Sequence, residues 1–505
     1  MSASRPLTFL VVGATGDLAR RKLFPALFAA YARGRLPDNV RFVGTARTSL
    51  DDAGFRERIA DELKCEEIDP ATCTLRVGEF LRRCHYRRAE YASAADYAAL
   101  AAWLRTVEPA PADRAIYLAV PPFVFGEAAH ALAAAGLLPR GAGAPWTRLV
   151  VEKPFGRDRS SYDELQNSLR QVCDEAQTFR IDHYLGKEVV QNLLVLRFAN
   201  RAFDALWGRE HVSHVHIAWS ERHGVGGRAG YFDRYGIVRD VMQNHLLQIL
   251  SLVAMERPAA MEADAIQDAK VALLRAMRPL ATADLLVGQY AAGNGRPGYR
   301  EEQGVPDGSC SPTWAAAVMH VDTPRWQGVP FLMTAGKAMR RAATEVRLHF
   351  RAMPDGLFRA AVDVPRATDA DNELIARVQP DERLALRIVS KLPGSGMRVG
   401  PTELDLRFRA RFPDVRIADA YENLLLDVVR GDRSLFIRSD ELEAAWDLFT
   451  PALHELDARR ARPELYAFGG AAPASLDALA ARHGIADARV IEADAGVDAA
   501  RRHGL

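Results

Sequence analysis

The sequence predicts an α/β doubly wound domain followed by a larger α+β domain with a mainly antiparallel sheet. In the first part of the chain, short apolar runs alternate with amphipathic helical stretches, which is the pattern of a parallel sheet covered on both faces. After about residue 180, apolar and polar residues alternate with a period of two, as in antiparallel strands. The length of 505 residues also exceeds what one hydrophobic core usually organises. We therefore predict two domains, 1–180 and 181–505.

The individual elements follow from the same patterns. A capping box of Ser161 and Glu164 predicts a helix that runs to about Cys173. The segment 462–505 is rich in Ala, Arg and Asp and is expected to be only partly ordered. Strands are predicted at 7–12, 40–45, 115–120 and 148–152 in the first domain and at 214–219, 314–321, 345–350, 373–379 and 384–391 in the second; helices are predicted at 17–33, 94–106, 126–135 and 186–199.

Composition excludes several classes of protein. The 66 basic and 65 acidic residues balance, so a nucleic-acid partner is not expected. The sequence has neither an apolar run of roughly eighteen residues, which a membrane span needs, nor a secretory signal. The five cysteines are odd in number and lack a C-x-x-C pair, which disfavours a disulfide framework and a zinc site. We expect a reducing, cytoplasmic location.

Three closely spaced histidines, His211, His214 and His216, raise the question of a metal. His214 and His216 would share one face of a strand. Neither a carboxylate nor a cysteine nearby completes a ligand set, so we predict no metal site.

A phosphate-binding turn is predicted directly after the first strand. Gly13 can take the tight turn, and Gly16 lets backbone amides approach a pyrophosphate at the start of a helix. This strand, turn and helix predict a Rossmann dinucleotide site. The middle glycine of G-x-G-x-x-G is missing, so a glycine-rich turn without a ligand is the alternative. The predicted cofactor contacts in this turn are Gly13, Thr15, Gly16, Asp17 and Leu18.

The end of the second strand predicts which dinucleotide is bound. An acidic residue that would accept hydrogen bonds from the adenosine ribose is missing there, and Arg47 stands beside Thr48 instead. A guanidinium with a neighbouring hydroxyl can pair with a 2′-phosphate, so we predict NADP rather than NAD. The alternative is a solvated surface arginine.

Two polar clusters are candidates for substrate binding and catalysis. In 180–188, six ionisable side chains lie around the start of a predicted helix, where they could hold a dianionic phosphate. In 239–248, a polar stripe runs along a predicted helix, with His245 at its edge beside apolar residues. Taken alone, such a histidine is more often a satisfied core residue than a catalyst.

Six stretches together resemble the glucose-6-phosphate dehydrogenase family, and the nonapeptide 180–188 is the most specific of them. They occur in the family's order and cover roughly residues 7 to 470. Four of only seven lysines in the chain fall inside them, although the chain otherwise prefers arginine. The resemblance implies oxidation of glucose 6-phosphate at C1 with NADP. The six stretches are 13–22, 152–156, 180–188, 230–233, 239–248 and 329–337.

The resemblance also implies a catalytic pair. His245 would be the general base that removes the proton of the C1 hydroxyl, because an imidazole with a pKa of about 6.5 is a good base at neutral pH. Asp182 would orient His245 and stabilise its imidazolium.

The resemblance further implies the substrate contacts. His183, Tyr184 and Lys187 would hold the 6-phosphate. The other implied contacts are Lys153, between sugar and nicotinamide, Glu221 and Asp240, which accept hydrogen bonds from sugar hydroxyls, and Lys337, a second cationic contact.

The chain departs from the family's pattern at two places. Five residues after Lys337, where the family usually has a basic residue, it has Ala342, and Arg341 is the candidate replacement. The resemblance also weakens beyond about Gly470, so a second, structural NADP site is not supported.

Two other functions stay open. The chain could be another Rossmann sugar oxidoreductase with a Glu-Lys-Pro segment, or a catalytically silent NADP-binding regulator. The nonapeptide argues against the first, and the presence of both Asp182 and His245 argues against the second. A broad sheet without covering helices also predicts a homodimer or homotetramer.

Overall fold

The computed structural model describes residues 5–65, 69–108, 111–353, 372–489 and 492. Contacts between residues divide the chain into two units. The first comprises Met1–Gly186, Ala259–Gln267 and Ala418–Glu443, and the second comprises Lys187–Pro258, Asp268–Ile417 and Ala444–Leu505. The domain boundary predicted at residue 180 stays a prediction.

The first unit contains a seven-stranded sheet. Its strands are β1 (Leu7–Val12), β2 (Arg41–Ala46), β3 (Cys84–Arg88), β4 (Asp113–Leu118), β5 (Thr147–Glu152), β6 (Thr178–Ile181) and β15 (Phe436–Ile437). Their order is β15-β6-β5-β4-β1-β2-β3. All neighbours are parallel except β15, which is antiparallel to β6. The predicted doubly wound sheet is therefore confirmed.

Helices flank this sheet, and aromatic side chains fill much of its core. The rings of Phe42 and Phe80 lie 4.5 Å apart, and those of Phe24 and Phe55 lie 5.3 Å apart, edge to face. The helices are α1 (Phe24–Ala32), which a π-helical segment (Ala19–Leu23) precedes, α2 (Asp52–Ala60), α3 (Pro70–Arg82), α4 (Ala94–Val107), α5 (Phe125–Ala134), α6 (Arg159–Arg170) and α13 (Ala420–Arg430).

The predicted capping box of α6 is wrong in its register. Asp158 is the N-cap residue, because its side chain accepts a hydrogen bond of 2.9 Å from the backbone N–H of Ser161. The Ser161 hydroxyl accepts in return from the Asp158 N–H at 3.2 Å. Ser161 therefore lies three residues inside the helix, which begins earlier than the sequence pattern indicated.

The second unit contains a nine-stranded sheet. Its strands are β7 (Val212–Ser220), β8 (Leu285–Ala291), β9 (Trp314–His320), β10 (Pro330–Gly336), β11 (Ala343–Phe350), β12 (Glu373–Gln379), β13 (Arg383–Lys391), β14 (Val399–Arg407) and β16 (Glu464–Ala467). Their order is β14-β13-β12-β11-β7-β10-β9-β8-β16. The pairs β7–β10 and β8–β16 are parallel and the other pairs are antiparallel, so the predicted mainly antiparallel sheet is confirmed.

The remaining helices complete the described chain. None of the helices in the described ranges is long and apolar enough to span a bilayer. They are α7 (Glu188–Phe198), α8 (Arg201–Leu206), α9 (Ala229–Phe232), α10 (Leu247–Ala254), which a π-helical segment (Val238–Leu246) precedes, α11 (Ala263–Arg275), α12 (Phe408–Arg411), α14 (Ser439–Arg459) and α15 (Ser475–Arg482). Along the chain, α11 and α14 pass from the first unit into the second.

One expectation from composition needs correction. Cys65 and Cys73 form a disulfide with a Cα–Cα distance of 5.8 Å, a bond that the cysteine count, which disfavoured a disulfide framework, did not predict. An odd number of cysteines does not prevent one pair from meeting at the start of a helix. The segment 462–505 contains the regular elements β16 and α15, and its partial order stays a prediction. Residues 490–491 and 493–505 lie outside the described part of the chain.

Candidate functional site

The turn after β1 has the geometry that a dinucleotide pyrophosphate requires. Gly13 has a φ of +88°, and its N–H donates a hydrogen bond of 2.7 Å to the carbonyl of Thr45. A Cβ at Gly13 would lie 2.3 Å from the carbonyl oxygen of Ala119, so only glycine fits. Gly16 and Asp17 are exposed at the start of the helix that follows. The predicted contacts thus lie in one turn and the start of its helix, with Gly13 buried and Thr15 and Leu18 half-buried.

The end of β2 lies beside this turn. The hydroxyl oxygens of Thr15 and Thr48 are 3.3 Å apart, which joins the turn to the residues that follow β2. Arg47 is exposed, and its guanidinium carbon lies 5.2 Å from the centre of the Tyr91 ring. A guanidinium supported by an aromatic ring and flanked by hydroxyls fits a 2′-phosphate.

The carboxyl ends of β5 and β6 carry the predicted polar residues of the first unit. Asp182 is buried, and its Oδ1 accepts a hydrogen bond of 3.0 Å from the backbone N–H of Tyr184. The His183 ring stacks on Tyr421 with a centroid distance of 5.9 Å. Lys153 is half-buried and precedes a cis peptide bond to Pro154. In an open α/β sheet, ligands bind at this edge.

A buried glutamate at this edge was missed by sequence reasoning. Glu152 ends β5, and its Oε1 accepts a hydrogen bond of 2.6 Å from the Tyr117 hydroxyl. Tyr421 also donates a hydrogen bond to the carboxyl group. Burial raises the pKa of Glu152 to about 7, against the lowering effect of both tyrosines. A carboxylate at the end of a buried strand could have drawn attention to Glu152, but the distant Tyr421 gave no signal.

In the second unit, His245 lies near the end of the π-helical segment. It is buried, with 4% of its surface exposed, and its backbone N–H donates to Asn244 Oδ1 at 2.7 Å. Asp240 lies half-buried in the first turn of the same segment. The regular helical stripe predicted here is therefore altered, because a π-helix bonds residue i to i+5. Such segments are frequent at functional sites.

Two predicted substrate residues form an ion pair in the second unit. Lys337 Nζ lies 2.9 Å from Glu221 Oε2 and 5.0 Å from the centre of the Trp219 ring. Lys187 is half-buried at the N-cap position of α7. Arg341, the candidate replacement after Lys337, contacts Glu345 Oε1 at 3.1 Å. Its side chain therefore pairs with a residue of strand β11, and this contact does not support a role in substrate binding.

The predicted site residues are divided between the units. The first unit holds Asp182, His183 and Tyr184 together with the cofactor residues and Lys153. The second holds His245 with the other predicted substrate contacts, which are Lys187, Glu221, Asp240 and Lys337. The pairing of Asp182 with His245 stays a prediction.

Comparison with known families decides the relationship. The family model "Glucose-6-phosphate dehydrogenase, NAD binding domain" matches residues 10–192, and "Glucose-6-phosphate dehydrogenase, C-terminal domain" matches residues 194–488. The chain belongs to the glucose-6-phosphate dehydrogenase family. The second match extends past residue 470, where the sequence resemblance was expected to weaken.

Individual relatives agree with this family. The chain is 46% identical over 484 residues to glucose-6-phosphate 1-dehydrogenase 1, chloroplastic, of Arabidopsis thaliana, covering 95% of this chain and 83% of the relative. It is 43% identical to the enzyme of Dictyostelium discoideum, covering 95% and 94%. A solved glucose-6-phosphate dehydrogenase in complex with its substrate glucose 6-phosphate superposes with a TM-score of 0.88 at 38% identity, covering 96% and 99%. The Mycobacterium avium enzyme superposes with a TM-score of 0.78 at 33% identity, covering 96% and 98%.

Proposed function

We propose that this family member oxidises D-glucose 6-phosphate at C1 with NADP+ and yields 6-phosphogluconolactone and NADPH. This is the first step of the pentose phosphate pathway. The observation that carries the proposal is the match of both family domains over almost the whole chain. Turnover assays distinguish the two other functions. Another sugar oxidoreductase would reduce NADP+ with free sugars, and a silent regulator would bind NADP+ without reducing it.

The residues of the first unit fit NADP+. The glycine turn leads into a helix N-terminus at which Gly16 and Asp17 are exposed, a place that suits a pyrophosphate, and Arg47 with Thr48 suits the 2′-phosphate. The chemistry that NADP+ supplies when bound is acceptance of a hydride from C1. We assign residues 1–180 to cofactor binding and 181–505 to substrate binding and oligomerisation.

We assign the proton transfer to His245. Its imidazole takes the proton of the C1 hydroxyl, and burial in the helix limits the directions in which the ring can point. Asp182 has the role of orienting that imidazole and stabilising its charged form. Its own position is restrained by the hydrogen bond from the Tyr184 N–H.

We assign the substrate contacts by charge. His183, Tyr184 and Lys187 bind the 6-phosphate, since donors and cations suit a dianion. Lys153 lies between the sugar and the nicotinamide. The remaining contacts are Asp240, which accepts from a sugar hydroxyl, and the ion pair of Glu221 and Lys337, in which each charge restrains the other before substrate binds.

The decisive experiment measures formation of reduced nicotinamide by absorbance. We expect reduction of NADP+ with glucose 6-phosphate and none with glucose. The His245→Asn variant should lower kcat by about 10²–10⁴-fold with little change in substrate affinity. The exposed His211→Asn variant is the matched control and should keep full activity. An active His245→Asn enzyme would remove this residue from the mechanism.

The cofactor preference has its own test. Replacing Arg47 with Ala removes a charged partner of the 2′-phosphate, so NADP+ affinity should fall by about tenfold to a hundredfold. NAD+ affinity should stay the same, because NAD+ lacks that phosphate. An unchanged preference for NADP+ would reject the role of Arg47.

We propose that the protein is a homodimer or homotetramer formed through its second unit. The outer strands β13 and β14 are only partly buried; Leu404 on β14 is 57% exposed, and Met397 in the connection between the two strands is 61% exposed. Covering such apolar side chains favours association. Light scattering at micromolar concentration should give a dimer or tetramer, and a monomer would contradict the proposal.

We propose a cytoplasmic location, because Cys84, Cys173 and Cys310 are free thiols, as in a reducing compartment. The disulfide between Cys65 and Cys73 is the observation that opposes a permanently reducing compartment. Fractionation of cells, followed by alkylation and mass spectrometry of these two cysteines, tests both points. A protein confined to a membrane-bound compartment would overturn the proposed location.

A further inference from the structure

Three potential metal ligands meet in the second unit, where strand β8 begins and strand β9 ends. Asp284 ends a 3₁₀ turn (Thr282–Asp284) immediately before β8, His320 is the last residue of β9, and His483 follows α15. Because β8 and β9 are antiparallel, with Leu285 opposite Ala317, Asp284 and His320 lie at the same end of the pair. One ligand atom from each of the three side chains lies within 4.8 Å of the other two.

The contacts within the cluster already hold two of the ligands in place. His483 Nε2 lies 2.8 Å from Asp284 Oδ1, and the rings of His320 and His483 have centroids 5.4 Å apart. Ligand atoms around a tetrahedral zinc ion are separated by about 3.3 Å, as bond lengths of about 2.0–2.1 Å require. A shift of roughly an ångström in the side chains would therefore seat an ion.

The nearest arginine on β9's side of the cluster is already paired. The backbone N–H of Arg278 donates to the His320 carbonyl at 3.1 Å. Its guanidinium binds Asp322 through two hydrogen bonds of 2.6 and 2.7 Å. The charge of Arg278 is therefore balanced by a carboxylate outside the three ligands.

One cation competes with a metal for the carboxylate. Arg482 Nη2 lies 3.0 Å from the same Asp284 Oδ1. Its side chain is 52% exposed, so it can turn away into solvent when an ion takes its place. Removing Arg482 should therefore strengthen metal binding, which a purely structural ion pair would not predict.

We propose that Asp284, His320 and His483 form a binding site for a divalent zinc ion, with water as the fourth ligand. Two imidazoles and one carboxylate, with water in the fourth position, form a donor set that catalytic zinc sites use. Asp284 and His483 are 199 residues apart in the sequence, so a bound ion would link the end of α15 to the start of β8 and the end of β9. The site is independent of the proposed oxidation.

The test uses the full chain after removal of metals with a chelator. Titration with Co²⁺ should produce the visible absorption of a tetrahedral site at one equivalent, and Zn²⁺ should abolish it. Zn²⁺ should also raise the melting temperature, because an ion that binds the folded state stabilises it. Absence of the Co²⁺ absorption would overturn the proposal.

Variants locate the site. His320→Gln and His483→Gln should each weaken Zn²⁺ binding at least tenfold, and Arg482→Gln should strengthen it severalfold. The exposed His211→Gln variant is the control and should bind like the wild type. Circular dichroism confirms that each variant is folded. Undiminished binding by the His320 and His483 variants would place the ion elsewhere and refute the assignment.

Discussion

Each of the two sheets buries a glutamate, and the pKa values of the two carboxyl groups move in opposite directions. In the parallel sheet, Glu152 is bound by tyrosine hydroxyls, and burial raises its pKa to about 7. In the antiparallel sheet, burial also acts to raise the pKa of Glu345, but Arg347, Arg377 and Arg341 bring it below its ordinary value. Both carboxyl groups are buried, so the difference in pKa comes from their neighbours. Tyrosine hydroxyls leave Glu152 with a raised pKa, and arginines lower the pKa of Glu345.

The antiparallel sheet contains a whole network of such charges. Glu345 contacts Arg347 at 2.8 Å and Arg377 at 2.7 Å, and Arg347 also contacts Glu373 at 3.1 Å. These side chains are at most 5% exposed. By contrast, all six residues of β1 are buried, and five of them are apolar. The first sheet is specified by its hydrophobic pattern, whereas the second also depends on matched charges.

Breaking the charge network should have the largest effect on stability. Glu345→Gln leaves buried guanidinium groups without their central partner, so we expect the free energy of unfolding to fall by about 3–5 kcal/mol. Urea and thermal unfolding measure this change. Glu210→Gln, at a side chain that is 77% exposed, should change stability by less than about 0.5 kcal/mol. If the two variants lost similar amounts of unfolding free energy, the second sheet would not depend on its buried charges.

Glu152 should make the first unit lose stability as the pH rises. Its folded-state pKa of about 7 exceeds the ordinary value of 4.5, so its contribution is complete below pH 4.5 and is lost as the pH rises through 7. The loss amounts to about 3 kcal/mol. Glu152→Gln should abolish this slope in unfolding experiments between pH 4.5 and 8. The same slope in the variant would show that another group titrates.

The buried histidines beside the charge network should lower the stability of the fold at acidic pH. Burial lowers the pKa of His216 to about 3 and that of His214 to about 4. The folded state therefore loses stability as the pH falls below the ordinary value of 6.5, by about 2 kcal/mol per histidine at pH 5. His216→Gln should recover about 2 kcal/mol of this loss, measured as the difference in unfolding free energy between pH 7.5 and pH 5. The exposed His211→Gln control should recover none.

We expect the smallest change in unfolding free energy from the loss of a single helix cap. The Ser93 hydroxyl accepts a hydrogen bond of 3.1 Å from the Asp96 N–H at the start of α4. Ser93→Ala should cost about 1 kcal/mol of unfolding free energy, and Ser93→Asp should restore most of it. A cost above that of Glu345→Gln would reverse the expected order.

Local patterns predicted the fold where the signal lies within one element. The strand at 7–12 is found at those residues because an apolar run ends at a glycine that must turn. The π-helical segments at Ala19–Leu23 and Val238–Leu246 were not predicted, because over so few residues their hydrophobic spacing resembles that of an α-helix. The start of α6 was misplaced because Asp158 and Ser161 both offer a capping oxygen.

The candidate site divides in the same way. The glycine turn and Arg47 were recognisable because both lie next to predicted strands. Tyr421 and the pair of Cys65 and Cys73 were not, because their contacts depend on how separate elements pack. Distant side chains that meet in space leave no periodic trace in the sequence, and this also holds for Asp284, His320 and His483.

The interleaving of the two units along the chain has a consequence for synthesis. The seven-stranded sheet includes β15, and α13 adds Leu424 and Leu425 to its aromatic core. A ribosome must therefore translate most of the message before the nucleotide-binding half can close. A nascent fragment that stops at Gly186 would leave β6 without its last neighbour and an apolar face open to chaperones. This half of the molecule matures late, although it is encoded first.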